Sequence, residues 1–160
     1  MSDVEENQQV TAGGRFVIQK IYVKDVSFET PHSPQIFMEK WEPEVSLQIN
    51  NNAAVLSEGV HEVTLAVTVT AKLSDKVAYL IEVQQAGIFN ATGFGPSDMG
   101  AILGSYCPNI LFPFVREVIS DVVTKGGFPQ LVLAPVNFDA LYAQHVQQQE
   151  QQPSSQQVAH

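Results

Sequence analysis

The stretch Phe128–Tyr142, FPQLVLAPVNFDALY, limits the possible folds more than any other part of the chain. It is rich in apolar groups, yet Pro129, Pro135 and Asn137 interrupt helical and strand periodicity for most of its length. The upstream run Gly104–Glu117 (GSYCPNILFPFVRE) has the same character, and from Met99 to Phe138 only Arg116, Glu117, Asp121 and Lys125 are ionised. A soluble chain that places so many apolar residues on proline-broken segments must bury them against a partner, or keep them for an apolar ligand that comes and goes.

A length of 160 residues fits one domain, able to bury about 70% of its unfolded surface. The net charge is −9, and the eight basic residues never cluster. Nucleic acid is thereby disfavoured, because its binding rests on Lys and Arg neutralising phosphates, and an anionic membrane surface is disfavoured for the same reason. A basic partner is the better match. The start MSDVEENQQ carries acids and amides where a signal peptide needs a basic start and an apolar run. The longest charge-free run, Met99–Val115, is broken by Gly100, Gly104, Pro108, Asn109 and Pro113, and falls short of the roughly 20 residues of a membrane helix. With Cys107 as the sole cysteine, no intramolecular disulfide can form, which fits a reducing compartment. The expectation is a cytoplasmic protein.

Residues 1–14 are polar, end in Gly13-Gly14 and are expected to form a flexible arm. Arg15–Glu29 then has the pattern of a strand, with Phe16, Ile18, Tyr22, Val26 and Phe28 on one parity and Val17, Ile21 and Val23 on the other. Both faces should be partly apolar. Thr30–Pro43, with three prolines, Phe37 and Trp41, is expected to be a long crossover loop of the kind that carries function. Glu44–Asn50 alternates with Val45, Leu47 and Ile49 inward, Asn50-Asn51-Asn52 is expected to turn, and Val63–Ala71 and Val77–Ala91 supply two further strands.

After a short turn near Ser97–Leu103, Pro108–Lys125 places Leu111, Val115, Val118, Ile119 and Val122 at helical spacing, and Gly126-Gly127 stops the helix. A last helix should start at Asn137 or Phe138 and run to about Gln147. From Gln147 to His160, seven of fourteen residues are glutamine, so a disordered tail is expected there. The predicted class is α+β: a four-stranded antiparallel sheet, a long helix and a C-terminal helix, with 15–146 as the domain proper.

Catalytic signatures are weak. Gly93-Phe94-Gly95…Gly100 lacks the continuation of a phosphate-binding loop and is better explained as glycines turning a strand into a helix. Cys107 has no neighbouring His or Lys to activate it. His32, His61, His145 and His160 show no metal-ligand spacing. No cofactor, metal or catalytic residue is therefore predicted. An acidic face remains: Asp25 and Glu29 share one parity of the first strand, and Leu80 and Glu82 share one of the fourth.

Four segments taken together are more specific: IQKIYVKDVSFE (Ile18–Glu29), EVQQAGIF (Glu82–Phe89), YCPNILFPFVRE (Tyr106–Glu117) and FPQLVLAPVNFDALY (Phe128–Tyr142). In this order they closely resemble the SecB family of bacterial protein-export chaperones, and the match runs from Arg15 to about Val146. The resemblance implies a homotetramer built as a dimer of dimers, with the long helix packed between sheets. It implies ATP-independent binding of unfolded secretory precursors in the cytosol and delivery to the translocation ATPase SecA. Carried over residue by residue, it places SecA contact on Asp25, Glu29, Leu80 and Glu82. The client groove would take Phe37 and Trp41 from the crossover loop and Phe128, Leu131 and Leu133 from the segment before the last helix. The oligomer interface would use Val115, Val118 and Val122 on the long helix. Two other classes stay open: an interaction module of the same family that guards one dedicated partner, as in toxin–antitoxin-linked relatives, and a small enzyme with a dispersed site.

Overall fold

The computed structural model describes residues 9–11 and 13–151; the rest of the expected arm (1–8 and 12) and the tail from 152 onward lie outside the described residues. A five-stranded antiparallel sheet runs in the order β1-β2-β5-β4-β3, formed by β1 (Gln9–Thr11), β2 (Gly14–Glu29), β3 (Glu44–Ser57), β4 (Val60–Leu73) and β5 (Lys76–Thr92). The four long strands are those expected. The short β1 is additional: Gln9–Thr11, placed in the arm by the sequence, pairs with β2 in a hairpin. Three helices follow, α1 (Pro96–Ala101), α2 (Cys107–Lys125) and α3 (Phe138–Gln151), with a π-helical turn over Ile102–Tyr106 joining α1 to α2.

Strict alternation makes β4 and β5 the centre of the sheet. Val63, Leu65, Val67, Val69 and Ala71 on β4, and Tyr79, Ile81, Val83 and Phe89 on β5, are buried on one face. Cys107, Leu111, Phe112, Val115, Ile119 and Val123 of α2 close over them. Spacings of three and four along α2 give the stripe a helix needs to lie on a sheet. Val115 therefore belongs to the core of a single chain, which corrects its assignment to an oligomer interface; its helical neighbours Leu111 and Ile119 are equally buried.

Two single-residue bulges correct the reading of β2. The register shifts between Ile18 and Lys20, and again between Val23 and Asp25. Each extra residue reverses the phase of the strand. Phe16, Ile18, Ile21, Val23, Val26 and Phe28 thus all share the helix-bearing face, and Tyr22 leaves the parity of Val26 and Phe28 for the opposite one. The strand has one largely apolar face, not two.

The expected turn at Asn50-Asn51-Asn52 is also corrected, because these residues lie within β3. Asn50 and Asn52 take the face away from the helices, and the Asn51 amide donates to the Leu103 carbonyl at 3.0 Å, so no polar group there demands a turn. The reversal comes at Glu58-Gly59, where Gly59 has a φ of 72°. At the other end, α3 runs to Gln151, so Gln147–Gln151, assigned to the tail, is helical. Tyr142 seats α3 against α2's approach: a Cβ on Gly104 would come within 2.5 Å of its ring.

Cys107 is wholly buried, and burial pushes its thiol up to about 12. In the unfolded chain the thiol ionises near 9. Its contribution to stability is therefore fully present below that pH and is lost as pH rises toward 12, at about 1.4 kcal/mol per pH unit. Urea unfolding between pH 8 and 10.5 should show a steeper loss for the unmodified protein than for Cys107→Ala. Equal slopes would contradict this.

Candidate functional site

Two surfaces gather the residues singled out by the sequence. The first is the sheet face opposite α2. Across the β2–β5 ladder, Leu80 faces Glu29, Glu82 faces Ser27 and Gln84 faces Asp25. Glu82 sits diagonally between Asp25 and Glu29, at the about 7–8 Å typical of diagonal neighbours. All four residues expected in the acidic patch share this face, with Glu82 at its middle and Leu80 toward the Glu29 side. On the β4 side they border Thr68 and Thr70, which are uncharged and small, so the surface is flat.

The bulge at Lys24 brings a cation next to this patch. The Lys24 ammonium donates to the Glu62 carboxylate at 2.9 Å, and the Tyr22 hydroxyl donates to the other oxygen of the same carboxylate. The Tyr22 and Lys24 bonds hold Glu62 below the ordinary carboxylate range, and the Glu62 contact raises the Tyr22 hydroxyl to about 12. Lys24 is thus engaged by Glu62, which leaves Asp25, Glu29 and Glu82 dominant. Neither Tyr22 nor Glu62 was singled out from sequence: the bulge turns Tyr22 to this side, where Glu62 of β4 already lies.

The second surface lies where the crossover loop meets the segment before α3. Ile36 is buried and anchors the short 3-10 turn Gln35–Met38. His32 Nδ1 lies 3.0 Å from the Val77 carbonyl oxygen, and Lys76 pairs with Glu39 at 3.2 Å, so both ends of the loop are tied to the β4–β5 hairpin. Phe128 is the hub: its ring lies 4.9 Å from Phe37, 5.5 Å from Trp41 and 4.9 Å from Tyr79, centroid to centroid.

The five predicted groove residues divide into two groups. Phe128 is 5% exposed and Leu133 is also buried, so both belong to the packed interior beneath the exposed loop. Phe37, at 46%, is the exposed lip, while Trp41 and Leu131 are half-buried. Met38, at 88%, is the most exposed large apolar group of the loop, and Val132, at 67%, that of the segment before α3; the sequence reading singled out neither. Their signal was adjacency alone, since each follows a predicted residue in an irregular segment.

Of the residues assigned to assembly, Val118 and Val122 are half-buried. They continue a line with Ile110 and the exposed Phe114 along one flank of α2. Beside the helix, Val23 and Val26 of β2 and Val45 and Leu47 of β3 are exposed on the same face of the sheet. Among the described residues no group of His, Cys, Asp and Glu could hold a metal ion, and no helix is long and apolar enough to cross a membrane.

Comparison with known proteins agrees with this architecture. A SecB-like chaperone from Mycobacterium tuberculosis, solved in complex with a ChAD peptide from an antitoxin, superposes with a TM-score of 0.65 at 13% identity, covering 76% of this chain and 91% of that one. The protein-export protein SecB of Nitrosococcus oceani is 58% identical over the full length of both chains. That of Methylococcus capsulatus is 58% identical over 94% of this chain and 97% of its own, and that of Marinobacter nauticus 48% identical over 92% of each. The family model described as preprotein translocase subunit SecB matches residues 6–149, and the chain belongs to the SecB family.

Proposed function

We propose that the protein is a cytosolic export chaperone that holds unfolded secretory precursors without ATP and passes them to SecA. The observation that carries this reading is the lip formed by the exposed Phe37 and Met38 at the Phe128 floor. An unfolded chain offers scattered apolar side chains in no fixed order. Its receptor needs apolar walls that repack, and aromatic and thioether groups on an irregular loop suit that task. The full-length relatives named for protein export favour this reading over a module that guards one partner. The role is one of binding, not catalysis.

Delivery is assigned to the acidic face. Asp25, Glu29 and Glu82 around Leu80 suit a basic surface of SecA, with affinity falling as salt rises because exposed charges are screened over about 8 Å at physiological ionic strength. The working assembly is taken to be a homotetramer, supported by the apolar flank of α2 and the uncovered strands beside it. A pull-down with immobilised protein tests the whole reading by asking whether an unfolded precursor and SecA are both retained. Glu82→Lys should lower SecA retention about tenfold at moderate salt and leave precursor retention unchanged. Normal SecA binding by that variant would remove the acidic face from the account.

A further inference from the structure

The sheet face opposite α2 changes sign along β2. In ladder order it carries Lys20, Tyr22, Asp25, Ser27 and Glu29, with the bulged Lys24 beside Asp25. Lys20 and Glu62 both stand opposite Ile88 of β5, so Glu62 shares this face and lies at its basic end. The Lys24 ammonium donates to one Glu62 oxygen at 2.9 Å, and the half-buried Tyr22 donates its hydroxyl to the other. Both oxygens of one carboxylate are thereby engaged, which fixes its direction as well as its charge. Among the described residues, Asp25, Glu29 and Glu82 enter no ion pair.

Stability gives little reason for this arrangement. The Lys24 side chain is 45% exposed, and an ion pair so open to water adds little to a fold. Its larger effect is on where a positive charge sits. A lysine is a point charge on a flexible four-carbon stem, and Asp25 is the next residue along the chain, on the same face. Released from Glu62, the ammonium would be drawn to Asp25 and would neutralise the edge of the patch that a basic surface must meet. It would also repel the cations of that surface. Glu62 cancels the charge, and Tyr22 keeps the carboxylate turned toward it.

We propose that Glu62, oriented by Tyr22, is a positioning residue for delivery: it holds Lys24 away from Asp25 and so keeps the acidic patch open to a basic partner surface. The inference rests on the delivery reading above and adds to it the residues that preserve the charge of the patch. Glutamine at position 62 can still accept from Tyr22 but cannot neutralise an ammonium. Glu62→Gln therefore removes the ion pair and keeps the shape, and its circular dichroism and urea unfolding should match those of the parent.

Titration of purified SecA against the full chain and its variants at moderate salt tests the inference. Glu62→Gln should bind SecA about fivefold more weakly, with unfolded-precursor retention unchanged. Adding Lys24→Met to that variant should restore binding to within about twofold of the parent, because the misplaced charge is gone. Adding Lys20→Met instead makes the same change in net charge two ladder positions from Asp25, and binding should stay weak. Lys24→Met alone should bind no more weakly than the parent.

Glu62→Gln with parental affinity would overturn the inference. Failure of Lys24→Met to rescue would make Glu62 itself the contact, and equal rescue by Lys20→Met would reduce the effect to net charge; either result sinks the positioning role. A loss with Lys24→Met alone would place Lys24 in the contact and sink it too. In each of these cases weak binding by Glu82→Lys would leave the delivery face standing. Normal binding by Glu82→Lys would remove that face, and the inference with it.

Discussion

Changing Phe37 to Ser and Leu131 to Gln together is expected to abolish the delay that the protein imposes on aggregation of an unfolded precursor, with the assembled mass unchanged. Phe37 is nearly half exposed and Leu131 half-buried, so neither is an irreplaceable part of the core. Both border the Phe128 floor segment, and polar replacements would interrupt the apolar surface a client must cross. A single client chain can engage the grooves of several subunits, so a modest loss at each groove multiplies into a loss of about a hundredfold in capture. Light scattering of a denatured precursor, with the variant in excess, reads the effect. Protection equal to that of the unmodified protein would show that clients are held elsewhere.

Phe128→Ala should behave in the opposite way, damaging the fold. Its ring touches Phe37, Trp41 and Tyr79 and is almost fully enclosed. Truncation leaves a cavity among rings already fixed by β5 and the crossover loop, at a cost of about 3–5 kcal/mol. Against a typical total stability of about 5–15 kcal/mol this is a large fraction. Urea unfolding should show the full loss. A cost below about 1 kcal/mol would mean that the aromatic cluster collapses to fill the space, and that Phe128 belongs to the mobile wall after all.

The contrast between these two phenylalanines shows how far sequence can reach. Both stand in irregular, proline-flanked segments, and nothing local distinguishes them. Their difference in burial comes from Ile36 pinning the loop and from Tyr79 rising beneath Phe128. The central strands were legible because every second residue from Val63 to Ala71 is apolar, and α2 because its buried positions recur every three or four residues. Val115 could have been assigned to the core on the same spacing, since it is four residues from both Leu111 and Ile119.

The bulges of β2 were not legible. A bulge is decided by which cross-strand hydrogen bonds close, and the sequence shows only its result, an apolar pattern that appears to fall on both faces. The consequence reaches the candidate site, because the phase change near Lys24 brings Tyr22 onto the face that carries Asp25, with Lys24 engaged by Glu62. The acidic residues themselves could be named in advance; their setting could not. The length of β3 was missed for a related reason. Three asparagines in a row suggest a turn, but two face solvent and the third finds a carbonyl acceptor on Leu103.

The central claim is that the protein keeps unfolded precursors from folding or aggregating without nucleotide. The most direct measurement dilutes a denatured secretory precursor from urea into buffer lacking ATP, with and without a molar excess of the unmodified protein, and follows light scattering and the recovery of native fluorescence. The account predicts suppressed scattering and slowed refolding, both increasing with chaperone concentration. Scattering and refolding unchanged at every excess, for precursor after precursor, would contradict it.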